Sequence, residues 1–185
     1  MASFPSTKQL TTYKVIPYYW MGNINPSLED EELELCDYAM HMMREECKGD
    51  RLEKNYTKEH MHLDKMIMYN IVFDDYKPVI GTGTQKINDD VVRVFSRYWH
   101  FKSYRTDGKY MFDKVDDFEE LKYTIDNVNA KCYIWSRDKS KGFFTKLKKH
   151  RPDVFHDWIV HPEKVNLLYP NNYQYVFYKG DISLL

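Results

Sequence analysis

Three β-rich runs that follow each other closely restrict the fold of this chain more than any other feature. They are KMIMYNIVF at residues 65–73, VIGTGTQKI at 79–87 and VVRVFSRYWHF at 91–101. Only the turn-forming segments DDYKP and NDD separate them. β-Branched and aromatic residues favour extended backbone, and short turns bring consecutive strands together in antiparallel pairs. The sequence therefore predicts an antiparallel meander in the middle of the chain.

Other predicted elements flank this meander. Residues 13–20 indicate an earlier strand, weakened by Pro17, and the acidic stretch after Ser27 predicts a helix to about residue 47 with Ser27 as its N-cap. The remaining predicted elements are a helix from Met111 to Val128, a strand at 130–135, a short basic helix at 139–149 and strands at 154–160 and 173–178. The order β-α-β-β-β-α-β-α-β-β indicates a mixed α/β (α+β) fold, with a largely antiparallel twisted sheet flanked by helices.

Composition narrows the class of protein. A length of 185 residues suits a single domain, residues 1–185, and a formal net charge of −1 argues against nucleic acid or an anionic membrane as partner. No apolar run approaches the roughly 18 residues of a membrane span. The cysteines Cys36, Cys47 and Cys132 are odd in number and lack zinc spacing, so we expect them to be reduced and mostly buried. Together these features favour a cytoplasmic protein.

Histidine is the other residue type that invites a metal hypothesis. His60 and His62 stand two residues apart, and His156 and His161 follow later in the chain. No third ligand follows at a telling spacing, so we interpret them as surface or loop histidines and expect no metal.

The strand at 91–101 leads into the loop RTDGKY, and this junction is the strongest candidate for a ligand site. A loop that opens a helix exposes main-chain N–H groups, and the helix dipole adds positive potential there. Gly108 permits a close approach of the backbone, and Arg105 and Lys109 add positive charge. An anionic ligand such as a phosphate fits these features. An ordinary strand–turn–helix corner has the same pattern.

The element order and these motifs together resemble the GCN5-related N-acetyltransferase (GNAT) superfamily. Residues 105–110 are similar to the family's loop Q/R-x-x-G-x-G/A, PVIG at 78–81 to its third strand and SKGFFTKL at 140–147 to its late helix. The likeness covers roughly residues 11–178. It implies a GNAT-like fold, acetyl-CoA or a related acyl-CoA as co-substrate, and transfer of the acetyl group to the amine of an unknown small-molecule or protein acceptor.

The resemblance also implies where the ligands bind. Pantetheine would lie along the strand end formed by Tyr98, Trp99, His100 and Phe101, and the pyrophosphate would lie against Arg105, Thr106, Asp107, Gly108, Lys109 and Tyr110. His100 is the candidate general base because imidazole exchanges protons near neutral pH, and Tyr98 is a second, weaker candidate as a proton donor. A hydrogen-bonded histidine in a sheet and a packed cross-strand tyrosine are the structural alternatives.

Two residues depart from the family pattern. Tyr110 stands where the family has Gly or Ala, and Phe144 stands where many members have a tyrosine that protonates the departing thiolate. These departures motivate an alternative: a non-catalytic protein that keeps the GNAT fold as a binding or structural module. The 16 tyrosines are compatible with a viral or phage protein, which would place it in a virion. The sequence is also compatible with a homodimer or a larger assembly.

One structural feature separates the two hypotheses. An enzyme should have a splayed, open cleft between the strands at 91–101 and 130–135. A non-catalytic protein should have Tyr110 filling that cleft and exposed aromatic side chains gathered in a contact patch.

Overall fold

The computed structural model describes residues 6–10, 13–50, 53–63, 65–89, 91–102, 131–136, 149, 159–161 and 175–179. Its strands are β1 (Lys8–Leu10), β2 (Tyr13–Trp20), β3 (Asn23–Ile24), β4 (Met66–Asp74), β5 (Lys77–Lys86), β6 (Val91–His100), β7 (Lys131–Ser136), β8 (Ile159–His161) and β9 (Tyr175–Lys179). Its helices are α1 (Asp30–Glu46), the 3₁₀ helix Glu53–Tyr56 and α2 (Lys58–Leu63).

The described strands form one mixed sheet in the order β1-β2-β4-β5-β6-β7-β9-β8, and β3 pairs with β2. Every pair is antiparallel except β6 with β7, which is parallel. The predicted fold class and the predicted meander are therefore confirmed. The predicted helices at 111–128 and 139–149 lie outside the described residues, apart from Lys149. The prediction lacked β1 and β3, because strands of three and two residues are too short to show a period.

The start of α1 corrects one prediction: Ser27 is not the N-cap. The helix begins at Asp30, and the N–H of Glu29 donates to Glu32 Oε1 at 3.1 Å. Ser27 instead belongs to a turn, in which its N–H and its hydroxyl donate to Asn25 Oδ1 at 3.1 and 2.8 Å. The fully buried Asn25 amide in turn donates to the Pro17 carbonyl at 3.0 Å. This turn satisfies the polar groups of Asn25 and Ser27. The helix therefore begins after it, and the acidic first turn lies at the positive end of the helix dipole.

The helix α1 covers one face of the sheet. Its buried side chains are Cys36, Ala39, Met40 and Met43, which join a core cluster with Ile16, Tyr18, Tyr69, Ile71 and Phe73. A separate buried cluster holds Tyr13, Val15, Val72, Val79 and Ile80. Neighbouring residues of one strand divide between the two clusters, so the second lies on the opposite face of the sheet. Both faces of the central strands are therefore buried.

The central strand β5 carries two buried hydroxyl groups that cost stability. Among the described residues, Thr82 Oγ1 and Thr84 Oγ1 are buried without a hydrogen-bond partner. Valine has the same branched shape without the hydroxyl, and an unsatisfied buried hydroxyl costs about 1–3 kcal/mol. We therefore expect Thr82→Val and Thr84→Val to raise the free energy of unfolding by about 1 kcal/mol each, measured by urea denaturation.

Thr57 supplies the matched control for these two variants. It precedes α2, where its hydroxyl donates to the Lys54 carbonyl at 3.2 Å and accepts from the His60 N–H at 3.3 Å. Thr57→Val should therefore destabilise by about 1 kcal/mol. The same sign of change at Thr57 and at Thr82 would contradict the assignment of unsatisfied hydroxyls.

The expectation of reduced, buried cysteines is confirmed for Cys36 and Cys47, which are both free. Burial, aided by the charges of Asp50 and Glu46, raises the pKa of Cys47 to about 11 from its ordinary 9.0. An acid whose pKa is raised by folding stabilises the protein below the unfolded pKa and loses that contribution as pH rises through the folded pKa. Stability should thus fall between pH 9 and 11, and Cys47→Ala should flatten part of this slope. Urea unfolding at several pH values measures it, and parallel pH curves for the two proteins would contradict the expectation.

Candidate functional site

The strands β6 and β7 separate after a short paired stretch. Within the described residues they pair at three positions only: Val91 with Lys131, Val92 with Cys132 and Arg93 with Tyr133. Beyond Arg93, β6 stays paired with β5 up to His100, and β7 stays paired with β9 up to Ser136. Each strand follows its outer neighbour, so the two diverge in a V. The separation that the enzyme hypothesis predicts for these strands is therefore present in the described residues.

Two β-bulges interrupt the pairing of β6 with β5. Gly81 pairs with Trp99, Gly83 with Ser96 and Gln85 with Arg93. Each step of two residues on β5 therefore faces three residues on β6. An extra residue on one strand bends that strand and increases its twist. The bulges lie where β6 leaves β7, which gives a physical reason for the opening.

Arg97 lies in the bulge between Ser96 and Trp99, called the upper bulge here, and its backbone is strained. Its φ is 56°, in the left-handed region that costs a non-glycine residue about 1–2 kcal/mol. Two tertiary hydrogen bonds hold it there. The Tyr69 hydroxyl donates to the Arg97 carbonyl at 3.2 Å, and Arg97 Nη2 donates to the His60 carbonyl at 2.9 Å. The backbone of β6 is thereby fixed from β4, and the side chain of Arg97 ties α2 to the same point.

Two glycines of β5 make room for the Tyr69 ring. A Cβ at Gly81 would lie 2.6 Å from the Tyr69 hydroxyl and would also collide with the Met43 methyl group. A Cβ at Gly83 would lie 2.9 Å from Tyr69 Cδ2 and 2.6 Å from Met66 Sδ. These contacts are shorter than side chains tolerate. The glycines therefore allow Tyr69, which starts on β4, to cross β5 and reach the bulge on β6.

Glu46 at the end of α1 holds the far end of β6. Its carboxylate accepts from Trp99 Nε1 at 3.2 Å and from the Lys102 main-chain N–H, and its carbonyl accepts from Lys102 Nζ at 3.2 Å. The Trp99 ring also packs edge-on against Tyr56, with ring centroids 6.1 Å apart. Lys102 is the last described residue before the predicted anion-binding loop. The point from which that loop departs is therefore fixed by α1.

The face of the sheet beneath α1 gathers phenols around Arg97. Burial raises the pKa of Tyr19 and of Tyr56, and the positive charge of Arg97 opposes both shifts. Among the described residues, the Tyr19 hydroxyl is one of those buried without a hydrogen-bond partner.

The structure separates the predicted site residues. Trp99 and Phe101 pack with the core beneath α1, whereas His100, which lies between them and pairs with Ile80, is buried on the opposite face. For Tyr98 the structure describes the main chain, which belongs to β6. The predicted contacts at 105–110 and the departure at Phe144 lie outside the described residues. The assignments of His100 as base and Tyr98 as donor remain predictions.

Several residues that shape the site were missing from the sequence-based prediction. They are Tyr69, Arg97, Glu46 and the carbonyl of His60. The one usable signal was the alternation of glycines in GTGT, because a glycine inside a strand often marks a close approach. No pattern in the sequence marks an arginine with positive φ.

The role of the glycine groove can be tested by a double-mutant cycle. Gly81→Ala should lower the free energy of unfolding by about 1–3 kcal/mol, because the added methyl group overpacks against Tyr69 and Met43. Part of this loss should disappear in a Tyr69→Phe background, where the hydroxyl is absent. Urea denaturation of the four proteins gives the coupling energy.

Gly49 provides the control for this cycle. Its φ is 83°, so Gly49→Ala is strained, but a Cβ there meets nothing within 4 Å. Its cost should simply add to that of Tyr69→Phe. Additive behaviour at Gly81 as well would contradict the contact with Tyr69.

The described part of the chain lacks two features, a cluster of metal ligands and a helix that could span a membrane. Its His, Cys, Asp and Glu side chains form no group of three or more that could hold a metal ion. Neither α1 nor α2, the α-helices that the structure describes, has the length and apolarity to span a membrane.

Comparison with known proteins identifies the fold. The sequence matches no protein-family model and no curated protein. Among solved structures, PaiA N-acetyltransferase from Thermoplasma acidophilum, in complex with coenzyme A, matches with a TM-score of 0.51 and 11% identity over 92% of this chain and 100% of that chain.

Two other structures match similarly. Campylobacter jejuni N-acetyltransferase PseH, in complex with acetyl coenzyme A, has a TM-score of 0.52 and 13% identity over 91% of this chain and 99% of that chain. A spermidine N-acetyltransferase SpeG chimera from Vibrio cholerae and hSSAT has a TM-score of 0.50 and 14% identity over 91% and 95%. This chain therefore has the fold of the GCN5-related N-acetyltransferases.

Proposed function

We propose that this protein is a GNAT-type N-acyltransferase that binds acetyl-CoA, or a related acyl-CoA, in the opening between β6 and β7. The divergence of the two strands after Arg93 is the observation that carries the proposal. Where two strands separate inside a sheet, an extended ligand with amide groups can lie along the strand edge. The pantetheine arm of coenzyme A is such a ligand, so the described residues fit it.

The protein's part in the reaction follows from this placement. Acetyl-CoA supplies an activated acyl group, and the acceptor amine forms the new C–N bond as the C–S bond breaks. The proton lost by the amine must reach a base, and the departing thiolate must gain a proton. Main-chain groups of β6 orient the thioester carbonyl and favour the charge that develops on its oxygen. His100 is our candidate for the base and Tyr98 for the proton donor.

The pyrophosphate is assigned to the loop that follows β6. Glu46 fixes Lys102 immediately before it. Arg105, Lys109 and the main-chain N–H groups around Gly108 supply positive charge and donors for the phosphates. Tyr110 and Asp107 oppose binding, because one adds bulk and the other adds negative charge at the phosphates.

The acceptor reaches the thioester over α2. The hydrogen bond from Arg97 to the His60 carbonyl holds this short helix beside the upper bulge. A helix of one and a half turns gains little stability from its own hydrogen bonds, so tertiary contacts of this kind decide its position. The acceptor can be a small molecule or a protein, since both classes present primary amines.

Calorimetric titration with acetyl-CoA tests the proposal. We expect a Kd near micromolar, about −8 kcal/mol, with similar binding of desulfo-CoA and much weaker binding of ATP. Gly108→Val should abolish binding, because its side chain would occupy the place of the phosphates. Tyr110→Ala should strengthen binding by relieving the same crowding.

Two outcomes would count against the enzyme. No binding at roughly millimolar acetyl-CoA, about −4 kcal/mol or weaker, would favour the non-catalytic alternative. Unchanged affinity in a folded Gly108→Val variant, with its fold checked by circular dichroism, would remove the loop from the site.

A further inference from the structure

A cavity of about 450 Å³ opens where β4 begins and β5 ends. Its apolar lining comes from Met21, Met66 and Ile67. The Met21 N–H donates to the Ile67 carbonyl at 2.6 Å, which fixes the β2–β3 turn against the start of β4. Met66 is buried, whereas Met21 is 64% exposed at the mouth. The volume is within the range of small-ligand sites.

Basic groups surround this apolar lining. His62, Lys65 and Lys86 all border the cavity. The Lys86 N–H donates to the Lys65 carbonyl at 3.0 Å, so the two lysines are held side by side. His62 Nδ1 lies 3.4 Å from the Gly22 carbonyl, which orients its ring at the mouth. Two lysines and a histidine therefore border the same cavity in a chain whose net charge is −1.

An ion pair between Lys86 and Asp89 leaves this positive character largely intact. Lys86 Nζ lies 2.9 Å from Asp89 Oδ1, but the Asp89 side chain is 93% exposed. Ion pairs with so exposed a partner are weak. The ammonium group has three donors, so a bound carboxylate can share Lys86 with Asp89.

The cavity is connected to the proposed reaction centre by α2. The carbonyl of His60 binds Arg97 at the bulge of β6, and His62, two residues further along the same helix, borders the cavity. A ligand that enters along α2 therefore meets the basic cavity at one end and the β6 bulge at the other.

We propose that this cavity holds the remote end of the amine acceptor, and that it selects a small acceptor with a carboxylate on an apolar chain. The proposal rests on the proposed acetyl transfer. Met21, Met66 and Ile67 bury the apolar chain, and the basic groups attract the carboxylate. A second ammonium group at that end is repelled, so polyamines such as spermidine are poor acceptors of this protein.

Three matched amines test the proposal. 6-Aminohexanoate, hexylamine and 1,6-diaminohexane share a primary amine and a six-carbon chain, and their remote ends are negative, neutral and positive. We expect kcat/KM for 6-aminohexanoate to exceed that for 1,6-diaminohexane by about tenfold or more, with hexylamine between them. Equal values, or a preference for the diamine, would overturn the proposal and leave acetyl transfer intact.

Charge reversal assigns the preference to the cavity. In Lys65→Glu combined with Lys86→Glu, the order of the three amines should invert. Lys77→Glu, at the exposed opposite end of β5, is the matched control and should keep the original order. An unchanged order in the double variant would overturn the assignment.

A binding measurement without acetyl-CoA separates this proposal from the proposed function. Hexanoate should shift the methyl NMR signals of Met21 and Met66 in the unsubstituted protein and not in the double lysine variant. Methionine-to-leucine variants assign the two signals. Absence of these shifts would overturn the proposal, whatever the protein does with acetyl-CoA. Shifts with hexanoate in a protein that does not bind acetyl-CoA would support the cavity as a carboxylate site and reject the acyltransferase.

Discussion

The hydrogen bond from the Tyr69 hydroxyl to the Arg97 carbonyl, 3.2 Å long, fixes β6 where its backbone leaves the extended conformation. A left-handed arginine costs about 1–2 kcal/mol, so it persists only where its surroundings hold it. Tyr69 can reach this carbonyl because Gly81 and Gly83 leave its path across β5 open. The bulge, the divergence of β6 from β7 and the opening between them therefore depend on Gly81 and Gly83 having no side chains.

Much of the fold was predictable because it follows from local patterns. The three strands of the meander are β-rich runs bounded by turn residues, and the apolar face of α1 recurs about every 3.6 residues, so one sequence displays both signals directly. Ser27 misled the prediction because serine also stabilises turns, and here Asn25 competes for its hydroxyl. Whether Ser27 forms a turn or an N-cap depends on its neighbour Asn25, and the helix propensity of serine alone does not include that neighbour.

The site was less predictable because it is built from tertiary contacts. The strand that carries it could be expected from the element order, and the splay could be expected from the resemblance to the GNAT superfamily. The hydrogen bond between Glu46 and Trp99 joins residues 53 positions apart, and that between Tyr69 and Arg97 joins residues 28 apart. Such long-range pairs produce no periodic pattern in the sequence. The position of His100 on the face away from Trp99 follows from strand alternation alone, whereas its proposed role as a base depends on tertiary contacts and stays a prediction.

Arg97 connects the two halves of the proposed site through different parts of one residue. Its carbonyl is held at the bulge of β6 by Tyr69, and its side chain holds α2, along which the acceptor is proposed to pass. A change in the β6 backbone must therefore move the anchor of α2, and a displacement of α2 must pull on the bulge. α2 is only one and a half turns long, so its own hydrogen bonds do little to fix its position. That position therefore depends on Arg97, the same strained residue on which the opening depends. In the proposed site, Arg97 would therefore set the geometry for the acyl donor and the geometry for the acceptor together.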